Sequence, residues 1–178
     1  MSAKTNCICE TERLYLRELN TNDAAFAFEL NNDTEVLKYT GDAPFKSIEA
    51  AEEFLMGYNH YCLYGFGRWG VLRKSDDEIL GWCGLKYDAE RREHDIGYRF
   101  KREYWNMGYA TEAGKACVDM AFERFNIKLL YGNVVEQNYA SQKVLEKIGL
   151  QRLPECGRTA AELRYLITKK MWELSKSL

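Results

Sequence analysis

The segment from Tyr104 to Ala113 constrains the fold more than any other part of the chain. It joins a strand-like run, 94–100, to a helix-like run that continues to about residue 124. A turn of small residues around Gly108 that leads directly into a helix leaves backbone N–H groups unpaired, with the positive end of the helix dipole behind them. Such a turn is an anion site, most often a phosphate site.

Hydrophobic periodicity and capping residues divide the rest of the chain into strands and helices. The predicted strands are 13–18, 66–73, 78–87, 94–100, 129–135 and 162–172, and the predicted helices are 23–30, 49–61, 109–124 and 140–148. This order predicts a mixed α/β sheet with antiparallel strands early and a strand–helix–strand crossover late. We expect an N-terminal tail over 1–10 and a single domain over 11–178.

Size and charge narrow the function classes. A chain of 178 residues can bury a full core, and a formal net charge of -2 gives no electrostatic reason to expect nucleic acid. No apolar run is long enough to cross a bilayer, and residues 1–10 lack the apolar core of a signal peptide. We therefore expect a cytoplasmic protein that binds neither nucleic acid nor membrane.

The cysteine pattern argues against a metal site. No Cys-x-x-Cys pair occurs, and neither histidine is placed to complete a zinc site. We expect free thiols in a reducing compartment and no bound metal. The six cysteines are Cys7, Cys9, Cys62, Cys83, Cys117 and Cys156.

Two common nucleotide-binding motifs are absent from the sequence. Neither the P-loop pattern G-x-x-x-x-G-K-[ST] nor a G-x-G-x-x-G after the first strand occurs. A second polar group lies at Asn138 and Ser141, where a short helix begins. Asn138 can simply cap that helix, or both side chains can face a ligand against the sheet.

These motifs together resemble the GCN5-related N-acetyltransferase (GNAT) superfamily, and in particular the branch of the ribosomal-protein N-terminal acetyltransferases. Five motifs occur in the family's order over nearly the whole chain: 12–17, 81–85, 95–98, 104–113 and 138–150. The resemblance implies a central, mostly antiparallel sheet that splays between two parallel strands and is flanked by helices.

The resemblance also implies acetyl-CoA (coenzyme A) as the cofactor. Its pyrophosphate would lie on a helix N-terminus, its pantetheine arm would run beside a strand as an added strand does, and Asn138 and Ser141 would hold the arm near the sulfur. The cofactor-binding residues implied are Tyr98, Phe100, Met107, Gly108, Tyr109, Ala110, Thr111, Asn138 and Ser141.

The catalytic residues implied are Asp95 as base, through water, and Ser141 as acid. The alternative for Asp95 is a structural ion pair with Arg91, Arg92 or Arg99. Three positions depart from relatives. Trp105 stands where the phosphate motif often has Arg or Gln, so we expect it to pack, and Leu145 stands where a tyrosine acid is common. Asp95 stands where the branch usually has Glu, which keeps the carboxylate on a side chain one methylene shorter. Tyr139 is a weaker substitute acid.

The implied function is transfer of an acetyl group to a primary amine by direct attack on the thioester. The candidate acceptors are a protein or peptide N-terminus, an amino acid, a polyamine and an amine-bearing antibiotic. The alternative is a catalytically weak sensor of acyl-CoA. Aromatic residues between Tyr39 and Trp69 belong to the region that shapes the acceptor site in this superfamily, although most are expected to pack in the core. We expect a monomer or a homodimer.

Overall fold

One eight-stranded sheet organises the chain in the computed structural model, which describes residues 7–157 and 159–177. The strand order is β1-β2-β3-β4-β5-β6-β8-β7. The described strands are β1 (Cys7–Glu10), β2 (Leu14–Arg17), β3 (Arg68–Arg73), β4 (Ile79–Asp88), β5 (Glu93–Phe100), β6 (Leu129–Val135), β7 (Gln151–Cys156) and β8 (Glu162–Thr168).

Helices cover both faces of the sheet. The α-helices are α1 (Ala24–Leu30), α2 (Thr34–Leu37), α3 (Ile48–Gly57), α4 (His60–Tyr64), α5 (Tyr109–Glu123), α6 (Tyr139–Lys147) and α7 (Lys169–Lys176), with 3₁₀ turns at Thr21–Asp23 and Arg102–Tyr104. No helix among the described residues is long and apolar enough to span a membrane.

The main core lies between the sheet and α5. Residues of β4 and β5 such as Leu85 and Ile96 pack there with Phe122 and Val118 of α5. Two smaller clusters, centred on Ala51 and on residues 26–36, lie under α1, α2 and α3. A ligand near β5 would therefore meet α5 on one face of the sheet and helices α1–α3 on the other.

All strand pairs are antiparallel except β5 with β6. These two strands run parallel and share only the pairing of Asp95 with Tyr131. Beyond that pair, the remainder of β5 through Phe100 runs without a paired partner on β6. The predicted mixed sheet, splayed between two parallel strands, is confirmed.

The predicted closing strand is wrong at its end. Strand β8 stops at Thr168, whose hydroxyl accepts a hydrogen bond from the Met171 N–H (3.1 Å) and so caps α7. Trp172 then donates its indole N–H to Asp119 of α5 (2.7 Å), which holds the new helix on the core. The alternation of apolar and polar residues continues past Thr168, where the cap and the Trp172–Asp119 contact together favour the helix.

Four residues of the predicted N-terminal tail, 1–10, lie in a strand. Residues Cys7–Glu10 form β1, and Cys7 lies opposite Arg17 of β2. Residues 1–6 lie outside the described part of the chain. Cys83 and Cys117 are both buried, with their sulfur atoms 3.6 Å apart between β4 and α5. Within the described residues, no cluster of His, Cys, Asp and Glu could hold a metal ion.

Candidate active site

The gap between β5 and β6 presents unpaired backbone groups of β5. The Lys101 N–H donates to the Leu80 carbonyl (2.9 Å), and Phe100 lies opposite Gly81. Antiparallel ladders alternate between hydrogen-bonded and non-hydrogen-bonded pairs. The backbone N–H and C=O of Phe100 and, two residues earlier, of Tyr98 therefore point away from β4 and into the gap, as an added strand requires.

The loop after β5 carries the predicted anion site at the start of α5. Gly108 has φ +81°, a left-handed conformation that residues with a side chain adopt at a cost, and Asn106 has φ +61°. No side chain caps this helix start, although the Glu112 N–H already donates to the Gly108 carbonyl. The open N–H groups at the helix start can donate to a ligand anion, and α5 supplies 15 residues of aligned dipole.

An unexpected clamp from the start of β2 holds this loop. Arg13 donates through Nη1 to the Met107 carbonyl (3.1 Å) and through Nε to Glu112 (2.7 Å). Its guanidinium also lies over the Tyr109 ring, 4.4 Å from the centroid. The Thr11 hydroxyl donates to the same Glu112 carboxylate (2.6 Å). Sequence reasoning gave Arg13 no role, because nothing local connects residues 99 positions apart.

The clamp also affects the charge of Glu112. Partial burial alone would raise the pKa of this carboxyl group, but hydrogen bonds from the Thr11 hydroxyl and from Arg13 outweigh burial and hold its pKa below the ordinary value. Glu112 therefore stays ionised beside the positive end of α5, where a negative charge is favourable.

Trp105 fastens the other side of the loop. Its indole N–H donates to the Phe100 carbonyl (2.8 Å), in agreement with a packing role instead of a phosphate contact. This bond occupies one of the two Phe100 groups that face the gap and leaves its N–H for a ligand.

The side chains of Tyr98 and Ser141 meet across the gap. The Tyr98 hydroxyl donates to the Ser141 carbonyl (2.8 Å) and lies 2.9 Å from the Ser141 hydroxyl. Burial raises the pKa of Tyr98, and the hydrogen bond with Ser141 offsets only part of that rise. Tyr98 therefore remains protonated at neutral pH. Sequence reasoning did not predict this contact between the Tyr98 hydroxyl and Ser141.

Asn138 caps α6, as the simpler interpretation expected. Its side-chain oxygen accepts a hydrogen bond from the Ser141 N–H (3.2 Å). Leu145 is buried in the main core, and Tyr139 is 67% exposed on the helix surface. Among the described hydrogen bonds of α6, it is Ser141 that contacts Tyr98.

Asp95 lies on the opposite face and forms an ion pair with Arg68 of β3. It is only 6% exposed. Sequence reasoning did not propose Arg68 as a partner; of the arginines that it did propose, Arg99 forms an ion pair with Asp42 and Arg91 forms one with Asp88. Sheet register explains this result, because β3 and β5 both flank β4.

Two glycines make room for Arg68. Its guanidinium donates to the Gly84 carbonyl, and a Cβ on Gly97 would come within 2.8 Å of that guanidinium. The glycines of the second and third motifs were the only sequence signal of this arrangement. These glycines indicate that some residue approaches the strands closely, but they do not indicate which one.

A cavity of about 120 Å³ lies on this second face, between the sheet and helices α1 and α3. Of the aromatic residues predicted near an acceptor site, Tyr58 and Tyr61 line it. Trp69 and Phe66 are core residues instead, and Tyr64 packs on Phe66. The gap and the cavity therefore approach β5 from its two faces.

Comparison with known proteins identifies the family. The Acetyltransferase (GNAT) domain matches residues 13–151, which cover most of the chain, including the clamp, the Gly108 loop and Ser141. The chain belongs to the GNAT family of acetyltransferases. The resemblance drawn from the motifs is thereby confirmed, and the protein is an N-acetyltransferase.

Individual relatives agree with this GNAT assignment. An uncharacterized N-acetyltransferase, p20 of Bacillus licheniformis, is 32% identical over 80% of this chain and 81% of its own. The fold matches that of a putative ribosomal-protein-serine acetyltransferase from Vibrio cholerae (TM-score 0.73, 19% identity, 94% of this chain and 99% of that one). It also matches a spermidine N-acetyltransferase from Vibrio cholerae solved with CoA and spermine (TM-score 0.76, 21% identity, 92% and 99%).

Proposed function

We propose that this GNAT enzyme moves the acetyl group of acetyl-CoA to the primary amine of a small molecule or of a protein N-terminus. The observation that carries the proposal is the pair of backbone groups on Tyr98 and Phe100 that point into the β5–β6 gap, beside the open N-terminus of α5. An extended amide-bearing chain that ends in phosphates matches both features.

The residues of the Gly108 loop would hold the cofactor phosphates. The backbone N–H groups of Met107, Gly108, Tyr109, Ala110 and Thr111 are the donors, and the Arg13 clamp keeps the loop in place. Tyr98 and Phe100 would pair with the amides of the pantetheine arm. The Asn138 side chain uses its oxygen for the cap, and its amide N–H groups would donate to the same arm.

Acetyl-CoA supplies a thioester whose carbonyl an amine attacks directly. The backbone N–H of Tyr98 or Phe100 would donate to the carbonyl oxygen as negative charge develops on it. Holding both reactants in one gap also contributes through orientation.

Ser141 would donate the proton that the leaving sulfur takes up. Serine is a weak acid, and the Tyr98 hydroxyl, 2.9 Å from the serine oxygen, can pass its proton to the serine as the serine proton goes to the sulfur, with solvent then reprotonating the tyrosine. Because burial raises the pKa of Tyr98, this relay also supplies only a weak acid. Leu145 occupies the position at which many relatives have a tyrosine acid, and these two hydroxyls would take over the role of that tyrosine.

Asp95 has two candidate roles in the transfer. It would take a proton from the ammonium group of the acceptor through water, which leaves the free amine to attack, or it would orient Arg68 on the acceptor side. The ion pair with Arg68 supports the second role, and the position of Asp95 on the cavity face of β5 fits both.

The experiment that tests the proposal combines binding and turnover on the purified protein. Isothermal calorimetry measures acetyl-CoA binding, and a thiol-reactive dye follows CoA release with a chemically diverse panel of amines. We expect binding together with amine-dependent CoA release. Tight binding without turnover on any amine would indicate the sensor instead, and absence of binding would remove the proposal altogether.

A further inference from the structure

The cavity on the second face of β5 has mostly apolar walls. Its aromatic and aliphatic lining comes from α1, α3 and β4: Phe26, Leu30, Phe54, Leu55 and Trp82. Tyr61 adds its ring, because its hydroxyl donates to the Arg68 carbonyl and accepts from the Leu19 N–H (3.3 Å). A ligand body that fills this space must therefore be apolar.

The size of the cavity limits that body to about one small ring. The space measures about 120 Å³. An apolar cavity of about 150 Å³ in another protein accommodates benzene. A phenyl ring or a branched aliphatic group fits on this scale, whereas a sugar ring with its hydroxyl groups would leave polar atoms against aromatic walls.

The charged residues of the lining favour an anion. Arg68 and Arg99 both line the cavity and flank the Trp82 ring, each 5.4 Å from its centroid. The carboxylate among the described lining residues is Asp42, and it is bound to Arg99 (2.5 Å). A guanidinium group has five N–H donors. In the described bonds, Nη1 and Nη2 of each arginine donate once each, so further N–H groups can donate to a ligand carboxylate.

This charge pattern opposes a polyamine. A polyamine brings several ammonium groups, and the two carboxylates near the cavity, Asp42 and Asp95, are already paired with Arg99 and Arg68, so the cavity offers its ammonium groups guanidinium neighbours and no unpaired carboxylate from the described lining. The spermidine acetyltransferase thus shares the fold, and the acceptor surroundings of this chain predict a different preference.

The position of Arg99 relates the cavity to the site of transfer. Arg99 lies between Tyr98 and Phe100, whose backbone groups face the gap, while its own side chain lies on the cavity face. A carboxylate on Arg99 and an amine at the gap would thus be served by the same short segment of β5. An α-amino acid is the smallest acceptor that carries both groups.

We infer that the acceptor is a small α-amino acid, or a close analogue, with an aromatic or branched apolar side chain in this cavity and its carboxylate on Arg68 and Arg99. The inference rests on the proposed acetyl transfer to an amine and specifies its substrate class.

The test compares three acceptors by CoA release: phenylalanine, phenethylamine, which lacks only the carboxylate, and spermidine. Hydrogen bonds to a charged group imply that phenylalanine has a kcat/KM about tenfold or more above that of phenethylamine. Spermidine should be the poorest of the three.

Two variants separate the parts of the inference. Arg99→Met should lower the kcat/KM of phenylalanine to that of phenethylamine. Arg99→Lys should retain part of the difference in kcat/KM between the two acceptors. Ala27→Leu narrows the cavity and should raise the KM of phenylalanine but not that of alanine, which has the same carboxylate and a small side chain. Thermal unfolding of each variant checks that it folds.

The outcomes distinguish this inference from the function on which it rests. Failure of acetyl-CoA to bind, or binding without turnover on the wider amine panel, overturns acetyl transfer itself. Turnover with spermidine as the best acceptor, turnover on the wider panel but on none of the three, or an Arg99→Met variant that keeps the preference for phenylalanine overturns only the substrate class.

Discussion

The two sites that meet at β5 are built from different materials. The gap beside β6 is a backbone site: the ladder register directs N–H and C=O groups into it, and the Gly108 turn opens the start of α5. The cavity under α1 and α3 is a side-chain site, in which Arg68, Arg99 and Trp82 set the charge and shape.

This difference determines how freely each site can change. A backbone site depends on the fold and tolerates many side chains, so one cofactor can be kept while the sequence varies. A side-chain site changes its chemistry with each substitution. Changes in backbone conformation at the gap should therefore alter acetyl-CoA binding with little effect on the amine. Changes in charge at the cavity should alter use of the amine with little effect on acetyl-CoA binding.

Asp95→Asn should give the largest effect and should act on the acceptor side alone. Loss of a general base lowers turnover by about 10²-fold or more, and the acidic limb of the rate–pH profile should flatten. The affinity for acetyl-CoA, measured by calorimetry, should not change. Asp88→Asn, which removes a surface partner of Arg91, is the matched control.

A different result would reassign Asp95 as a positioning residue. In that case the amide side chain of the Asp95→Asn variant still accepts a hydrogen bond from Arg68, the profile keeps its acidic limb, and the KM of the amine rises. An acetyl-CoA affinity that falls in parallel would contradict the separation of the two sites.

Gly108→Val should give the next largest effect, on the cofactor side. A branched side chain at φ +81° strains the turn and crowds the anion site, where lost hydrogen bonds to a charged group imply a KM for acetyl-CoA about tenfold higher or more. Gly65→Val is the control, since Gly65 has φ +73° and an added Cβ there meets open space. Equal effects of both substitutions on the KM would mean that strain alone is responsible.

Ser141→Ala should lower kcat by roughly tenfold, less than the ~10² typical of a positioned acid because serine is a weak one. The KM of acetyl-CoA should change little. Tyr98→Phe removes the hydroxyl that lies 2.9 Å from Ser141 and should lower kcat by a similar factor, with no further loss in the double variant. If Ser141→Ala raised the KM and spared kcat, Ser141 would be a binding residue only.

Glu112→Gln should give the smallest effect, a loss of about 1 kcal/mol in the free energy of unfolding at neutral pH, since Arg13 in the pair is partly exposed. The folded-state pKa of Glu112 lies below its ordinary value of about 4.5, so its stabilisation is complete above that pH and is lost as the pH falls through the folded-state pKa. Urea unfolding at a series of pH values should show the two proteins converging in acid. A constant difference down to pH values below both pKa values would contradict this role.

The same division explains what the sequence could predict. The Gly108 turn and the central strand–helix order follow from local spacing and glycine, and the structure has them, whereas the splayed pair was expected from the resemblance to the GNAT superfamily. Arg68 as the partner of Asp95, and Arg13 as the clamp on the loop, depend on which distant strands become neighbours. Local pattern contains no such information, so the sequence offered only arginines near Asp95 in the chain and did not suggest Arg68.

The helix ends show the same limit. Predicted strand 162–172 breaks at Thr168 because a threonine cap and the contact of Trp172 with Asp119 favour a helix. The sequence alternates across that boundary, so the pattern alone does not show that the strand ends there.

The most direct test of the backbone site is an NMR titration of the isotope-labelled protein with acetyl-CoA. We expect the amide resonances of Tyr98, Phe100, Tyr109, Ala110 and Thr111 to shift together at a single affinity. Those of Ala27 and Leu55 in the cavity wall should stay in place. Shifts centred on the cavity wall, with the Gly108 loop unchanged, would contradict the account.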